Sequence, residues 1–270
     1  MSIFTVAGTG SPGVTSLTVG LGLVWPRPVL VVEADPTGGS GILAGYFRGQ
    51  VAHSGGLIEL AMAQRQGLVA DELPQQLLDI PGSQAKLLPG SRSHSQAASL
   101  VPLWPALLDA LRDLDATGQD VLVDAGRLGL EGSPWPLLVG SDVTLLLTRS
   151  TLPALVALSS WAETLREETA GTPTQLGLVV VGEGQPYSGR EVADTLRVPL
   201  VATLPWDRRS AAVLSRGRGT FPRRSALRSS LDAAGAALRS FAVSGQRRPL
   251  TPLQELLARS VPKTKVGGLR

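Results

Sequence analysis

The sequence contains no cysteine, and its 270 residues include only two histidines. The missing cysteines exclude disulfides, thiolate nucleophiles and zinc sites with cysteine ligands, and two histidines leave little for a histidine-based metal cluster. No apolar run reaches the ~18 residues of a membrane span, and the first residues lack the basic start of a secretory signal. Charged residues make up 17% and hydrophobic residues 43%, a globular composition. We therefore expect a soluble, cytoplasmic protein with no transmembrane segment.

Positive charge is concentrated near the C-terminus. The whole chain has a net charge of +3, but residues 207–270 carry 14 basic and three acidic side chains, so this part is +11 and the remainder −8. Such asymmetry indicates a negatively charged partner, nucleic acid or an anionic surface, with a solvated helix face as the alternative. Seven arginines crowd into 21 residues of this region: Arg208, Arg209, Arg216, Arg218, Arg223, Arg224 and Arg228.

Short apolar segments alternate with longer helical patterns. The predicted strands are residues 3–7, 29–33, 85–88, 121–124, 143–148, 176–181 and 200–204. The predicted helices are residues 15–24, 57–66, 103–114, 154–168, 190–196 and 225–241. Near-continuous apolar strands are typical of parallel sheets covered on both faces. The alternation predicts a doubly wound α/β fold, with a mostly parallel sheet of about seven strands and helices on both faces.

One domain, residues 1–243, followed by a linker and tail, residues 244–270, is the economical organisation. The tail begins with Ser-Gly-Gln-Arg-Arg-Pro, which is typical of a linker. Its short amphipathic pattern buries too little apolar surface to hold a monomer on a membrane. We therefore expect the tail to dock on protein or stay loose. The tryptophans, Trp206 among them, are scattered along the chain and are interpreted as packing residues.

A glycine-rich loop joins the first predicted strand to the first predicted helix. Residues 8–16 read Gly-Thr-Gly-Ser-Pro-Gly-Val-Thr-Ser, which fits the phosphate-loop frame G-x-x-x-x-G-K-[ST] except at its lysine. In such loops backbone N–H groups and the helix dipole face an anion. The alternative is a tight turn that needs glycine for its backbone conformation alone. The candidate nucleotide-binding residues are Gly8, Thr9, Gly10, Ser11, Gly13, Val14, Thr15 and Ser16.

Two aspartates follow later predicted strands, Asp35 after the second and Asp124 at the end of the fourth. Both positions lie at the carboxyl edge of the sheet, where open α/β folds bind ligands. In a Walker-type site the Thr15 hydroxyl would ligate Mg²⁺, Asp124 would hold the ion through water, and Asp35 would position an attacking water. The alternatives are a turn or capping role for Asp35 and a carboxylate satisfied by loop N–H groups for Asp124.

These motifs together resemble the ParA/MinD family of deviant-Walker P-loop ATPases, over residues 1–243. The family loop reads K-G-G-x-G-K-[ST] and its second strand ends V-D-x-D-P-x-G. Asp35 falls on the second of those aspartates and Glu33 on the first. The run Pro205-Trp206-Asp207 resembles the element that borders the adenine, which makes Pro205 a candidate nucleotide contact. The Ser-Pro-Gly-Val-Thr loop resembles a divergent branch, the CpaE/TadZ-type proteins associated with Flp/Tad pilus and secretion machinery.

The sequence departs from the family at three positions. Val14 replaces the Walker lysine, Thr9 replaces the signature lysine, and Gly182 stands where an asparagine would contact adenine. We therefore expect little or no ATPase activity, with ATP and Mg²⁺ as the candidate cofactors. The resemblance implies a regulatory or scaffold protein with a protein partner, such as a secretion or pilus ATPase or a polar scaffold, and a homodimer. The second hypothesis is an active partitioning switch that dimerises on ATP and binds DNA or membrane without base specificity, recruited to the membrane or nucleoid.

Overall fold

The computed structural model describes residues 1–246. Its strands are β1 (Ile3–Gly8), β2 (Val29–Glu33), β3 (Leu78–Asp79), β4 (Ala85–Leu88), β5 (Asp120–Arg127), β6 (Val143–Arg149), β7 (Gln175–Val181) and β8 (Leu200–Leu204). Its α-helices are α1 (Val14–Val24), α2 (Gly41–Ala44), α3 (Leu57–Gln64), α4 (Val69–Glu72), α5 (Leu103–Asp113), α6 (Trp135–Gly140), α7 (Leu152–Glu168), α8 (Gly189–Leu196), α9 (Arg208–Arg216) and α10 (Ala226–Gln246). Short 3-10 helices span Leu73–Gln76, His94–Leu100 and Leu114–Thr117.

The strands form one sheet in the order β3-β4-β2-β5-β1-β6-β7-β8. The strands from β4 to β8 in this order are parallel, and the two-residue β3 pairs antiparallel with β4. The chain builds one side of β1 through β2, β4 and β5, and then crosses to build the other side. Every predicted strand is present, and the predicted doubly wound α/β fold is confirmed. Its switch point lies at β1, where such sheets bind ligands beyond the carboxyl ends of the strands.

Helices cover both faces of the sheet because the strand side chains alternate in direction. Phe4 of β1 points into a core formed with α1, α9 and α10. Its neighbour Ile3 points into the opposite core, which contains α3, α4 and α5. A third core packs α7 and α8 against β6 and β7. The central strands β2, β5, β1 and β6 are therefore buried on both sides, whereas the edge strand β8 is only partly buried. The polar groups of interest lie at the ends of the strands.

At the amino edge of the sheet, the buried carboxylate of Asp120 ties β5 to its neighbours. It accepts hydrogen bonds from the Ser2 backbone N–H and from the indole N–H of Trp25, both at 2.9 Å. The Arg27 guanidinium adds two further hydrogen bonds, at 2.5 and 2.6 Å. Both carboxylate oxygens are thus occupied, which is what a buried carboxylate requires. This cluster is structural.

The closing helix α10 continues to Gln246, beyond the predicted domain end at residue 243. Residues 244–246 therefore belong to a helix and not to a linker. The rest of the predicted tail, residues 247–270, lies outside the described residues. Within residues 1–246, no helix combines the length and the apolarity needed to cross a membrane.

Candidate functional site

The glycine loop between β1 and α1 forms a tight strand-to-helix turn. Gly10 and Gly13 have φ angles of +68° and +102°, which glycine adopts at little cost. A Cβ on Gly8 would lie 2.7 Å from the Leu147 carbonyl oxygen, so only glycine lets β1 end this close to β6. The predicted structural need for these glycines is confirmed, and an anion site would use the same conformation.

Two residues of the loop remove features that phosphate sites use. Val14, the first residue of α1, is 7% exposed and belongs to the core that contains Phe4 and Leu17. Its apolar side chain offers no charge to a phosphate. Pro12 has no backbone N–H, so the loop also has one donor fewer than the usual frame. The glycine framework is present, but the cation and one hydrogen-bond donor are missing.

The other predicted loop residues face two separate cavities. Thr15 lines the first cavity together with Glu33 and Asp35. The second is lined by predicted residues from the loop and from the segment after β8: Ser11, Gly13, Ser16 and Pro205. The Thr9 hydroxyl is buried and has no hydrogen-bond partner among the described residues.

Neighbouring strands β2 and β5 bring two buried carboxyl groups side by side. Glu33 and Asp124 are register partners, and they are 4% and 0% exposed. Asp124 Oδ1 accepts a hydrogen bond from the Gly126 N–H at 3.0 Å, whereas Oδ2 has no partner among the described residues. Burial raises the pKa of Asp124 to about 7; the Thr15 hydroxyl acts against the rise, and the charges of Asp35 and Glu33 add to it. Loop N–H groups therefore satisfy only one of its oxygens.

Glu33 is a site residue that the sequence indicates only through its place in the family frame. Its carboxylate accepts hydrogen bonds from the Ser40 hydroxyl and from the backbone N–H groups of Ile42 and Gly90, the last two at 3.1 Å. Burial raises the pKa of Glu33, and these hydrogen bonds oppose the rise. Glu33 therefore ties the loop after β2 to the loop after β4.

Asp35 lies on the rim of the site in the turn after β2. Its Oδ1 accepts a hydrogen bond from the Thr37 N–H at 2.9 Å, the side-chain contact typical of an aspartate turn. Its carboxyl group also presses on the end of β5, because a Cβ on Gly126 would lie 2.1 Å from Asp35 Cγ. The predicted turn role is confirmed, and the catalytic role stays a prediction.

The first cavity, called here the acidic pocket, has a volume of 120 Å³ and is lined by Thr15, Glu33, Asp35 and the loop residues Thr37–Gly41, Gly90 and Ser91. Hydroxyl and carboxylate oxygens are the ligands that Mg²⁺ prefers, and Mg²⁺ usually keeps several waters. Within the described part of the chain, no group of three or more His, Asp or Glu side chains is arranged to hold a metal directly. The lining oxygens of Thr15, Glu33 and Asp35 thus suit a mostly hydrated Mg²⁺, whereas the predicted ligand Asp124 is fully buried and does not line the pocket.

The second cavity, called here the apolar pocket, has a volume of 160 Å³ and lies between the glycine loop and the segment after β8. Pro205 and Trp206 form one wall, and leucines of α1, α9 and α10 form its base. Asp207 caps α9, because its carboxylate accepts a hydrogen bond from the Ser210 N–H at 3.0 Å. Hydrogen bonds from Ser210 lower the pKa of Asp207. The pocket suits a flat apolar group better than a charged one.

Trp206 is not the packing residue that the scattered tryptophans predict. Trp25 and Trp104 are 6% and 1% exposed, but Trp206 is 41% exposed. The guanidinium carbon of Arg149, the last residue of β6, lies 4.0 Å from the centroid of the Trp206 ring. The sequence motifs do not predict this cation–π pair at the carboxyl edge, because Arg149 belongs to none of them.

The seven clustered arginines lie on α9, on the loop after it and at the start of α10. All are exposed except Arg228, whose guanidinium carbon lies 5.5 Å from the centroid of the Phe221 ring. Among the described residues, none of the seven forms a salt bridge with a carboxylate. Their charge is therefore available to a partner. We call this set the arginine surface: Arg208, Arg209, Arg216, Arg218, Arg223, Arg224 and Arg228.

The chain matches no protein-family model and no curated protein. It is similar to solved structures, among them the septum site-determining protein MinD in complex with Mg-ADP from Pyrococcus horikoshii, with a TM-score of 0.69, 18% identity, and coverage of 90% of this chain and 98% of that one. A ParA family ATPase from Chlorobium tepidum also gives a TM-score of 0.69, with 14% identity over 87% of this chain and 98% of that chain. The chain has the fold of these ATPases.

A third neighbour is the MinC:MinD cell division protein complex from Aquifex aeolicus, with a TM-score of 0.66, 14% identity, and coverage of 89% and 96%. Identities this low establish the shared fold and leave the activity open. The predicted P-loop architecture is therefore confirmed, while the CpaE/TadZ branch stays a prediction.

Proposed function

We propose that this protein is a ParA/MinD-like regulatory or localisation scaffold with little or no ATP turnover. The observation that carries the proposal is the buried valine, Val14, inside an otherwise recognisable phosphate-loop frame. In phosphoryl transfer the protein contributes positioning and electrostatic stabilisation, and the loop lysine supplies charge next to the β- and γ-phosphates. One contributor of this kind is worth about 3–4 kcal/mol of transition-state stabilisation. Pro12 weakens the same site, because it lacks an N–H donor.

The retained groups support a site that still binds a ligand. The acidic pocket keeps Thr15 and the carboxylates of Glu33 and Asp35, and the Oδ2 atom of Asp124, the register partner of Glu33, has no hydrogen-bond partner among the described residues. When bound, Mg²⁺ would neutralise charge on a polyphosphate, while Thr15 and Asp124 orient it and Asp35 lies at the rim. Binding without turnover suits a protein that signals its state to a partner. By resemblance to the CpaE/TadZ branch, we propose a secretion or pilus ATPase, or a polar scaffold, as that partner.

The proposal is tested by measuring ATP turnover of the full chain with Mg²⁺, beside an Asp35→Ala variant purified in the same way. We expect both proteins to show the same background rate, because neither has the lysine. Turnover at the rate of an ordinary member of the fold that disappears in Asp35→Ala would refute the proposal. A further variant with Thr9→Lys and Val14→Lys restores both cations. We expect it to gain nucleotide affinity over the wild-type chain.

The second candidate function is a positioning switch that binds DNA or an anionic membrane, and the arginine surface favours it. Arginines that neutralise phosphates release counterions, so log Kd should change with log salt by about 0.9 per phosphate contacted. The test is a salt titration of duplex-DNA binding by wild type, by Arg223→Ala/Arg224→Ala and by a control, Arg65→Ala/Arg190→Ala. Both variants remove two exposed arginines. A smaller salt dependence of log Kd in Arg223→Ala/Arg224→Ala alone would support DNA binding by the arginine surface. Equal behaviour of all three proteins would rule this candidate function out.

A further inference from the structure

Buried polar atoms without a hydrogen-bond partner gather at one end of this molecule. The described residues contain five such side-chain atoms, and four of them lie at the carboxyl edge of the sheet. They belong to the glycine loop, the loop after β4, the end of β5 and the end of β6: Thr9 Oγ1, Ser91 Oγ, Asp124 Oδ2 and Arg149 Nε. Buried polar groups are nearly always paired, so a group of exceptions indicates a place where a polar ligand completes the hydrogen bonding. Of these four residues, only Arg149 carries a positive charge.

The sheet register places Arg149 beside the glycine loop. Gly8, the last residue of β1, pairs with Leu147 of β6, two residues before Arg149. Adjacent strands lie about 4.8 Å apart, so the backbone of Arg149 runs one strand spacing from the start of the loop. The long arginine side chain readily spans such a distance.

The surroundings of Arg149 leave its charge uncompensated. It forms no salt bridge among the described residues. Its guanidinium group rests on Trp206, and Trp206 is a wall of the apolar pocket that also includes Ser11 and Gly13 of the glycine loop. A cation–π contact compensates a partly buried cation only in part, because a desolvated charge is stabilised most by an opposite charge. An anion at the glycine loop would supply that charge.

We propose that Arg149 replaces the missing loop lysine as the cation that binds the phosphates of a nucleotide at the glycine loop, with Trp206 holding the guanidinium in place. Arginine suits this task, because its planar fork contacts phosphate oxygens in pairs and stays charged at all physiological pH values. The inference rests on the proposed function in one respect, the location of the ligand at the glycine loop. Because the arginine comes from β6 and not from the loop, it binds phosphate without occupying the position from which a Walker lysine acts.

The test is calorimetric titration of the full chain with inorganic pyrophosphate and with Mg²⁺-ATP. Arg149→Met keeps the apolar stem of the side chain and removes its charge, and Arg149→Lys keeps a charge. Arg127→Met is the matched control, because Arg127 is exposed and pairs with Gly8 from the other side, on β5. We expect Arg149→Met to weaken binding of both ligands by about 10- to 100-fold, the worth of a charge-assisted hydrogen bond. Arg149→Lys should lose less affinity than Arg149→Met, because it keeps the charge but not the planar fork. Arg127→Met should stay within about 3-fold of wild type.

Three results would overturn the proposal: no binding of either ligand by wild type, equal losses in Arg127→Met and Arg149→Met, or equal losses in Arg149→Lys and Arg149→Met. The last result would mean that Arg149 only supports Trp206. If Arg149→Met unfolds, as judged by circular dichroism, Arg149→Gln serves as the second charge-deleting variant. Absence of phosphate binding would leave the scaffold role standing. Rapid ATP turnover by wild type would instead refute the proposed function and leave the role of Arg149 untouched.

Discussion

Strand β5 carries two fully buried aspartates, and their surroundings differ. Asp120, at the amino edge, has both oxygens occupied by N–H donors from Ser2, Trp25 and Arg27. Asp124, at the carboxyl edge, accepts one backbone hydrogen bond from Gly126. Its second oxygen makes no hydrogen bond of ordinary geometry among the described residues, although the Thr15 hydroxyl lies near enough to lower the pKa of Asp124. The same residue type on the same strand is thus a completed structural contact at one end and an incomplete one at the other.

The comparison extends to the two edges as a whole. A cation neutralises the carboxylate at the amino edge, whereas at the carboxyl edge Glu33, Asp35 and Asp124 lie close together without a paired cation in the described residues. Four of the five buried side-chain polar atoms that lack a partner within residues 1–246 also lie there. An edge that only held the fold together would resemble the Asp120 cluster. The unpaired polar atoms of the carboxyl edge are what the proposed ligand site requires, even though the loop lysine is absent.

The largest expected effect comes from breaking the completed contact. Asp120→Asn keeps the shape of the side chain but removes the charge that pairs with Arg27, and it leaves buried donors without an acceptor. We expect the free energy of unfolding to fall by about 3–5 kcal/mol, measured by urea denaturation. Asp109→Asn is the control, because Asp109 is exposed and its pairing with Arg112 at 3.4 Å is worth less than about 1 kcal/mol. Similar losses in both variants would contradict the structural role assigned to Asp120.

The second prediction concerns the pH dependence that Asp124 imposes on the metal-free protein. The folded chain holds the Asp124 proton up to a pKa of about 7, whereas its ordinary pKa is 3.8. Between these values the unfolded chain has lost the proton and the folded chain has not, so stability falls as the pH rises, and the loss is complete above about pH 7. Asp124→Asn removes this dependence.

We therefore compare the free energy of unfolding of Asp124→Asn with that of wild type at pH 4 and at pH 8. We expect the difference to shift in favour of the variant by about 2–4 kcal/mol between the two pH values. The measurement is denaturant unfolding at both pH values with a chelator present. Asp109→Asn controls for the change in net charge and should show no such gain. An Asp124→Asn variant that tracks wild type at both pH values would mean that the Asp124 carboxyl group is not desolvated.

The sheet was predictable because its strands are short, nearly continuous apolar runs with few alternative structures. The predicted strand at residues 143–148, for example, differs from β6 by one residue. Three elements were not predictable in the same way: the short helix α2, the short antiparallel strand β3 and the arginine-rich helix α9. Their residues give no apolar period long enough to identify, and tertiary contacts fix them: Glu33 accepts from Ile42 in α2, and the carboxylate of Asp207 caps α9.

Only those site residues that belong to a sequence motif were predictable. Asp35, Asp124 and the loop glycines stand in a recognisable frame, and the structure brings them to one edge. The position of Arg149 beside the loop follows from the pairing of β6 with β1, which no local pattern specifies. The burial of Val14 in the core likewise depends on how α1 packs on the sheet.

The third prediction tests how tightly the Asp35 carboxyl group packs against the end of β5. Gly126→Ala places a Cβ against the Asp35 carboxyl group at a backbone φ of +62°. Gly118→Ala is a matched control, because its φ is +67° and a Cβ there meets nothing within 4 Å. Both changes incur the backbone strain of about 1 kcal/mol. We expect Gly126→Ala to lower the free energy of unfolding by about 1–3 kcal/mol more than Gly118→Ala does, because its Cβ clashes with the Asp35 carboxyl group. Equal costs would mean that Asp35 moves aside freely.

The smallest effect is expected for an unpaired hydroxyl at the carboxyl edge. Ser91 and Ser141 are both 1% exposed, but their hydrogen bonding differs. Ser141 Oγ donates a hydrogen bond to the Leu137 carbonyl and accepts one from the Thr5 hydroxyl, both at 2.6 Å, whereas Ser91 Oγ has no partner among the described residues. Removing a paired buried hydroxyl costs about 1 kcal/mol, so Ser141→Ala should lower the free energy of unfolding by that amount.

Ser91→Ala should change stability by less than about 0.5 kcal/mol, because it removes a desolvated group that makes no hydrogen bond in the folded chain. Thermal and urea unfolding of the two variants give the comparison directly. If Ser91 instead belongs to the ligand site, Ser91→Ala should weaken pyrophosphate or Mg²⁺-ATP binding while leaving stability unchanged. Ser141→Ala should show the reverse pattern, a loss of stability with unchanged binding. A loss of stability in Ser91→Ala equal to that in Ser141→Ala would show that the Ser91 hydroxyl is a completed structural contact, like Asp120 at the opposite edge.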